Sequence, residues 1–345
     1  MQFPGMGKPP LGVIFDCDMG NSPDDALALA LLYGFDGKNE IRVVSVSTSK
    51  SNLKSAALCE VIGRFYAGAV SAAFASRGRT LPIGMSEAGI SSEDTAILKT
   101  VLAKTEYVHG IQDRNDTADP VAVIRNAFTS QYDQNCVAVL TGPATNMAKV
   151  LDLPGIKDLI ATKVKFLSIM GGAYPNSAEP EWNIKADIKA AKKLFAEWPT
   201  PIVASGFEVG NDLLYPAASI EKDFAWSPAH PVADAYRAYK AMPYDFPTWD
   251  MTSVLYAAKP DEKYFKLSEP GAITVRDDGR TEFKPSPDGR HRYLILDPEQ
   301  KSRILEAFTT IASAKPVPRP SRFRRPAQEQ KQETLPPKPP EAKPK

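Results

Sequence analysis

Four aspartates lie within ten residues near the start of the sequence. They follow the apolar run Leu11–Phe15, and they are Asp16, Asp18, Asp24 and Asp25. Carboxylates this close together repel one another unless protons or a cation intervene. The three histidines and three cysteines of the chain form no cluster with zinc-ligand spacing, so any metal must be held by oxygen. A hard divalent ion, Ca²⁺ or Mg²⁺, is therefore the cation that these residues favour.

Two of the four aspartates, Asp24 and Asp25, have a simpler explanation as helix-capping residues. Ser22 and Pro23 directly precede Asp24 and Asp25. This order is a good helix start, because serine caps a helix, proline suits its first turn and acidic side chains complement the macrodipole. Capping accounts for the second acidic pair taken alone. It gives no reason for the first pair, and the two pairs together favour a cation site.

Three later segments also carry polar or aromatic residues beyond an apolar run. They are Thr141–Ala148, Met170–Asn183 and Pro247–Leu255. Each has an ordinary interpretation by itself, as a strand-to-helix turn, a polar loop and a packed tryptophan. In a parallel sheet, however, ligands bind outside the carboxyl ends of the strands, so these loops are where chemistry is expected.

In combination, the four segments resemble the inosine–uridine-preferring nucleoside hydrolases, Ca²⁺-dependent enzymes that cleave the N-glycosidic bond of ribonucleosides. The resemblance extends from Leu11 to Ala314. The motifs that carry it are Asp16-x-Asp18-x-Gly20 with Asp24-Asp25, Thr141-Gly-x-x-Thr-Asn146-x-Ala148, Met170-Gly-Gly172 with Glu181-Trp182-Asn183, and Trp249-Asp250. The first loop is two residues longer than in the family, because Asn21-Ser22-Pro23 stands where a single residue is usual.

The resemblance implies a metal site and a proton acceptor. Calcium would be held by three carboxylates and one backbone carbonyl, which belong to Asp18, Asp25, Asp250 and Thr141. A bound ion of this kind lowers the pKa of a water molecule. Asp18 would accept the proton of that water as general base.

The same resemblance implies how a nucleoside is bound. Side chains with adjacent donors and acceptors would hold the ribose hydroxyls; they are Asp24, Asn176, Glu181 and Asn183. Trp182 lies in the same loop and is also predicted to contact the substrate. Trp249 occupies the position where many family members have a histidine that protonates the base. Purine-preferring members resemble this chain in having tryptophan there, and they stack the purine on its indole ring. The implied reaction is hydrolysis of purine ribonucleosides to ribose and free base.

One contact of the family has two candidates in this chain. Family members usually have an Asn or Asp after the second strand that contacts substrate or water. In the segment Ser45–Asn52, both Ser49 and Asn52 compete for this role.

Two other classes of function stay open. The segment Val13–Asp18 also resembles the opening of haloacid-dehalogenase phosphatases, with Asp16 as nucleophile and Asp18 as acid and base, but the three later segments have no role there. A non-enzymatic protein that binds a nucleoside or sugar without turnover is the second alternative. It is motivated by the longer loop and by Trp249 in place of histidine.

The elements that must position these residues alternate along the chain. Predicted strands are Leu11–Phe15, Ile41–Val46, Val137–Leu140, Val164–Met170 and Ile202–Ala204, and predicted helices include Asp24–Leu32, Leu53–Phe65, Ala144–Leu151 and Ile188–Ala196. Continuous apolar strands between helices predict an α/β fold with a mostly parallel, Rossmann-like open sheet and helices on both faces. A late antiparallel hairpin is predicted from Ala272–Val275 and Arg292–Leu296, with turn signals between them.

The formal charge of +1 combines an acidic body with a basic end. Residues 315–345 contain nine Lys or Arg, three Glu and nine of the 31 prolines. We therefore predict an N-terminal extension (1–10), a nucleoside hydrolase-like domain (11–314) and a disordered basic, Pro-rich tail (315–345). The acidic body argues against a nucleic-acid partner. The expected partner is a small nucleoside. The resemblance also implies that the protein forms a homo-oligomer, either a dimer or a tetramer.

No membrane segment is expected in this chain. Met1–Pro10 has no apolar run of signal-peptide length, and no stretch approaches a membrane span. We expect a soluble protein, and the sequence leaves open whether it is cytoplasmic or exported after processing.

Overall fold

The computed structural model describes residues 9–68 and 81–317. Most of the predicted N-terminal extension and of the predicted basic tail lies outside the described residues. The strands are β1 (Leu11–Cys17), β2 (Ile41–Thr48), β3 (Ile83–Met85), β4 (Cys136–Leu140), β5 (Val164–Met170), β6 (Ile202–Ser205), β7 (Leu214–Tyr215), β8 (Phe246–Pro247), β9 (Lys266–Leu267), β10 (Gly271–Val275), β11 (Thr281–Pro285) and β12 (His291–Ile295).

Helices connect most of these strands. They are α1 (Pro23–Gly37), α2 (Leu53–Gly68), α3 (Ala96–Leu102), α4 (Pro120–Ser130), α5 (Thr145–Val150), α6 (Ile156–Lys163), α7 (Trp182–Ala186), α8 (Ile188–Glu197), α9 (Phe207–Asn211), α10 (Ala217–Lys222), α11 (Pro231–Tyr239), α12 (Trp249–Ala258) and α13 (Lys301–Ala312). Within the described ranges, no helix is both long and apolar enough to cross a membrane.

One large sheet organises the described part of the chain. Its strand order is β11-β10-β12-β6-β5-β4-β1-β2-β3, and β9 pairs with β12. All pairings from β12 through β3 are parallel, whereas β9, β10 and β11 are attached antiparallel. The predicted α/β fold with a mostly parallel sheet and a late antiparallel addition is confirmed.

The antiparallel addition differs in detail from the predicted hairpin. The turn at Asp278-Gly279 joins β10 to β11, a strand that the apolar pattern did not predict. β11 is mostly exposed or half-buried and therefore lacks a continuous apolar run. β12 instead joins the main sheet parallel to β6 and meets β10 at a single pair, Gly271 with His291.

Alternate side chains of β1 enter two different cores, because successive residues of a strand point to opposite faces. Val13, Phe15 and Cys17 pack in the core that includes α1, α2 and α12. Ile14 packs in the core that includes α4, α5 and α8. Asp16 shares the face of Ile14, whereas Asp18 lies just beyond the end of the strand. This separation decides which of the neighbouring acids can meet.

Candidate active site

Three aspartates from distant parts of the chain converge at the carboxyl end of β1. Asp18 follows β1, Asp25 lies in the first turn of α1, and Asp250 lies in the first turn of α12. All three are buried, and one carboxylate oxygen of each lies within 4.8 Å of the other two. Such a set of oxygens has the composition and spacing that a hard divalent cation requires.

The longer loop after β1 folds back on Asp25. Asp25 Oδ2 accepts hydrogen bonds of 3.0 Å from the backbone N–H groups of Gly20, Asn21 and Ser22. Gly20 has φ +97°, which a residue with a side chain rarely adopts. Ser22 is the N-cap residue of α1, so the predicted helix start and the acidic cluster coexist in one loop.

Asp24 connects the starts of two helices. Its Oδ1 accepts a bond of 2.5 Å from Ser22 Oγ, and its Oδ2 accepts one of 3.1 Å from the backbone N–H of Asp250. Both oxygens of this predicted ribose ligand are thus engaged within the protein. A ribose hydroxyl would share them.

Asp16 stands apart from the cluster. Its Oδ1 accepts hydrogen bonds from Ser47 Oγ (2.6 Å) and Asn146 Nδ2 (2.9 Å), so it joins β1 to β2 and α5. Asp16 is completely buried. Asp16 Oδ2 has no hydrogen-bond partner among the described residues, but it is buried where a phosphate ester has no surface to reach it. This geometry disfavours the phosphatase alternative.

Burial raises the pKa of each of these carboxyls. Burial, followed by the charge of Asp25, raises the pKa of Asp24 to about 7. The same two causes hold the pKa of Asp18 well above its usual range, and burial with the charges of the neighbouring aspartates does so for Asp250. For Asp16, burial raises the pKa to about 6. Without a cation the cluster retains protons near neutral pH, and a divalent ion would replace them.

Two further observations fit a metal site. Asp250 Oδ2 is buried and has no hydrogen-bond partner among the described residues. The predicted carbonyl ligand, Thr141, follows β4 and accepts a bond of 3.2 Å from Asn183 Nδ2. A carbonyl oxygen has two lone pairs, so this bond leaves Thr141 one for a cation. The residues present therefore fit an oxygen-liganded divalent ion.

The predicted ribose loop is anchored at its C-terminal end. Glu181 is the N-cap residue of α7, where its carboxylate accepts from the backbone N–H groups of Gly172 (3.0 Å), Asn183 (2.9 Å) and Ile184 (3.2 Å). Burial raises the pKa of Glu181. Asn183 is buried and also donates to the Met170 carbonyl (3.2 Å), which joins the ends of β4 and β5.

Asn176 and Trp182 lie at the surface of this loop. Asn176 is exposed, and its backbone forms an isolated bridge with Glu282 of β11. Trp182 is 51% exposed. Both stay predictions as substrate contacts.

Trp249 begins α12 and packs among other aromatic side chains. Its ring stacks on that of Phe207 (centroids 5.4 Å apart, 24° between planes) and meets Phe246 edge to face at 5.6 Å. The α9 backbone approaches it closely, because a Cβ on Gly210 would lie 2.4 Å from Trp249 Cα. Phe207 itself is 44% exposed. An aromatic wall therefore stands next to the acidic cluster.

A pocket of about 390 Å³ opens beside the loop after β1 and the ribose loop. Its lining residues are Asn21, Ser91, Glu93, Thr95, Ala96, Ile97, Trp182 and Tyr239. One of these lining residues, Asn21, donates to Asp18 Oδ2 at 2.6 Å, so a single hydrogen bond links the pocket lining to the cluster.

The segment after β2 contains a buried residue that the sequence pattern missed, while the choice between Ser49 and Asn52 as the substrate contact stays open. Ser49 bonds to the Cys17 carbonyl, and Asn52 donates to the carbonyls of Ser92 and Glu93. Lys50, between them, is buried and donates to Asn21. A lysine at the end of an apolar strand was the signal available for it.

Comparison with solved structures gives many similar folds. A plant nucleoside hydrolase, PpNRh1, aligns with a TM-score of 0.67 at 18% identity, covering 89% of this chain and 100% of that chain. An inosine–uridine-preferring nucleoside hydrolase from Bacillus anthracis gives 0.64 at 18%, covering 88% and 99%. A purine-preferring ribonucleoside hydrolase from Gardnerella vaginalis gives 0.63 at 19%, covering 88% and 99%. At these identities the likeness establishes the fold.

Two comparisons of the sequence gave different outcomes. The comparison with individual curated protein sequences gave no match, whereas the comparison with models of whole protein families gave one. The model described as inosine-uridine preferring nucleoside hydrolase matches residues 13–308, most of the chain and all four segments around the acidic cluster. Family membership supports hydrolysis of nucleosides as the reaction class. The chain belongs to the inosine–uridine-preferring nucleoside hydrolase family.

Proposed function

We propose that this protein hydrolyses the N-glycosidic bond of ribonucleosides in a Ca²⁺-dependent reaction, prefers purine nucleosides, and releases ribose and free base. The observation that carries the proposal is the convergence of Asp18, Asp25 and Asp250 into one buried oxygen cluster. The family match over residues 13–308 also supports a catalytic domain close to the predicted bounds 11–314.

The metal ligands in this proposal are the three carboxylates and the Thr141 carbonyl. Calcium suits the set because it accepts only oxygen ligands and tolerates irregular geometry. When bound, the ion would lower the pKa of a coordinated water and fix its position. Every other step is assigned to side chains of the protein.

Asp18 is the proposed general base. Its Oδ2 is committed to the amide of Asn21 at 2.6 Å, so Oδ1 would accept the proton of the attacking water. The water then attacks C1′ as the C1′–N bond breaks with oxocarbenium character; the bond electrons leave with the base, which takes up a proton from solvent. Burial of the site strengthens the attraction between the anionic cluster and the positive charge that develops on the ribose.

The ribose hydroxyls are proposed to bind Asp24, Asn176, Glu181 and Asn183. Glu181 and Asn183 are already fixed by backbone hydrogen bonds, which reduces the entropy lost when a sugar binds. Hydrogen bonds that shorten as charge develops on the ring favour the transition state over the substrate.

The base is proposed to stack on Trp249 and to contact Trp182, of which only Trp182 lines the pocket. Trp249 presents an indole next to Asp250, and Trp182 extends from the ribose loop at the pocket lining. A flat purine gains more stacking area on indole than a pyrimidine does.

The test is release of free base and ribose from inosine, guanosine, adenosine and uridine, each with Ca²⁺ and with chelator. We expect turnover with Ca²⁺, purines faster than uridine, and loss of turnover with chelator or in Asp18→Asn. A folded, Ca²⁺-replete protein that releases no base from any of the four would refute catalysis. Tight nucleoside binding without base release in that sample would establish the binding-only alternative.

A further inference from the structure

Lys50 is a buried cation next to the acidic cluster. It follows β2, and its residue surface is 1% exposed. Moving an ammonium group out of water costs free energy, so a buried lysine requires nearby acceptors or negative charge. Its Nζ donates to Asn21 Oδ1, and the charges of Asp18 and Asp25 act on it. The proposed metal ligands and substrate contacts do not include Lys50.

Asn21 connects Lys50 to the proposed base. It belongs to the loop that is two residues longer than usual in the family. The amide has one acceptor end and one donor end, whereas an ammonium only donates and an ionised carboxylate only accepts. Lys50 therefore turns Oδ1 toward itself, which leaves Nδ2 to donate to Asp18 Oδ2 at 2.6 Å. The backbone N–H of Asn21 is held by Asp25 at 3.0 Å, so the residue is fixed at both ends.

We propose that Lys50 is a positioning residue that fixes the Asn21 amide and thereby holds Asp18 Oδ2, so that Oδ1 faces the water that attacks the nucleoside. The proposal rests on the proposed function and adds two residues to it. Among the described residues, Lys50 hydrogen-bonds to Asn21 and to none of the three carboxylates, although its charge also acts on Asp18 and Asp25. Without Lys50, the amide is free to rotate and to present its oxygen to Asp18, where two oxygens repel.

The kinetic test is a double-mutant cycle with Lys50→Met and Asn21→Ala. We expect each single variant to lower kcat about tenfold or more with KM within about twofold, since general-base catalysis is worth roughly 10²- to 10⁴-fold. Because Lys50 acts through Asn21, the double variant should match Asn21→Ala within about twofold. Lys54→Met is the matched control, because that lysine pairs with Asp94 at the surface and should leave kcat unchanged.

Calcium titration by calorimetry distinguishes two roles for Lys50, which are to position Asn21 and to stabilise the metal site. Removing a positive charge near three carboxylates should leave Ca²⁺ binding unchanged or tighter in Lys50→Met. A weaker Ca²⁺ affinity would overturn the proposal, because the loss of turnover would then follow from a damaged metal site. Turnover by Lys50→Met within twofold of wild type, or single effects that multiply in the double variant, would overturn it as well.

An NMR readout tests the arrangement without turnover. In protein labelled with ¹⁵N-asparagine, the Asn21 side-chain amide signal is assigned by its loss in Asn21→Ala. It should shift in Lys50→Met and stay unchanged in Lys54→Met. An unchanged signal in Lys50→Met overturns the positioning role. If wild-type protein cleaves no nucleoside, the proposed function fails, and this signal still decides whether Lys50 orients Asn21.

Discussion

Asp24 and Asp250 are 226 positions apart, and the Asp24 carboxylate accepts a 3.1 Å hydrogen bond from the Asp250 backbone N–H. This bond joins the first turn of α1 to the first turn of α12. It brings Asp250 beside Asp18 and Asp25, which the loop after β1 places near each other. The metal-binding geometry therefore depends on how two helix starts pack.

Metal-free protein should lose stability as pH rises from 6.5 to 8, and Asp24 should account for part of the loss. The pKa of Asp24 is about 7 in the folded protein and near 3.8 when unfolded, so the folded state binds the extra proton. Stability from such a group is present at low pH and is lost as pH rises through the folded pKa. The lowered pKa values of His230 and His291 act in the opposite direction up to about pH 7.5, because their unfolded pKa is 6.5. This contribution is the same in wild type and in Asp24→Asn, so it cancels when the two proteins are compared.

The measurement is urea unfolding with chelator, comparing wild type with Asp24→Asn. Asparagine retains both hydrogen bonds of Asp24, with its oxygen accepting from Asp250 and its NH₂ donating to Ser22. The wild type should lose about 1 kcal/mol more than Asp24→Asn over this pH interval. Equal pH slopes in the two proteins would contradict the assignment.

Asp250→Asn should abolish most of the stabilisation that calcium provides. A ligand that binds only the folded state at 100 times its Kd stabilises by about 2.7 kcal/mol. Asp250 Oδ2 lacks a partner among the described residues and is therefore free to hold an ion. Asparagine removes the negative charge of this ligand with little change in side-chain size. Thermal unfolding with and without Ca²⁺ measures the shift. Asp133→Asn, at an exposed ion pair with Lys163, should retain it.

Trp249→Ala should reduce purine turnover more than pyrimidine turnover. Base stacking on an aromatic side chain is worth about 1–3 kcal/mol, so kcat/KM for inosine should fall by about tenfold. For uridine, whose ring offers less stacking area, the loss should be near twofold. Steady-state assays of both nucleosides with one enzyme preparation give the ratio. An equal loss for the two would mean that Trp249 supports the fold around Phe207 rather than the base.

Gly210→Ala should disturb the aromatic wall. The added Cβ would lie 2.4 Å from Trp249 Cα and 2.6 Å from Trp249 Cδ1, and such overpacking costs about 1–3 kcal/mol. Denaturant unfolding and Trp fluorescence check the effect. Gly37→Ala is the matched control, since among the described residues its Cβ would meet nothing closer than Val317, at 4.0 Å. Similar stability of the two variants would mean that α9 shifts away at little cost.

The sequence by itself determined the strand and helix alternation and most of the acidic cluster. The five predicted strands became parallel strands of the sheet; Val164–Met170 kept its predicted bounds, and the other four extend one or two residues further. The sequence did not predict β11, because its residues are mostly exposed. A continuous apolar run reports burial, and a strand at the surface need not have one. Local capping correctly predicted the start of α1 at Ser22.

Tertiary structure alone decided which acids meet. Asp16 and Asp18 are two residues apart, yet the strand continues through Asp16, directs it toward Ser47 and Asn146, and ends before Asp18. The position of Lys50 after an apolar strand did not by itself indicate a role, because its contact is an amide in another loop. Hydrophobic periodicity predicts the face of an element on which a residue lies. Hydrogen bonds between loops depend instead on which strand ends and helix starts are neighbours, and only the packed sheet determines that.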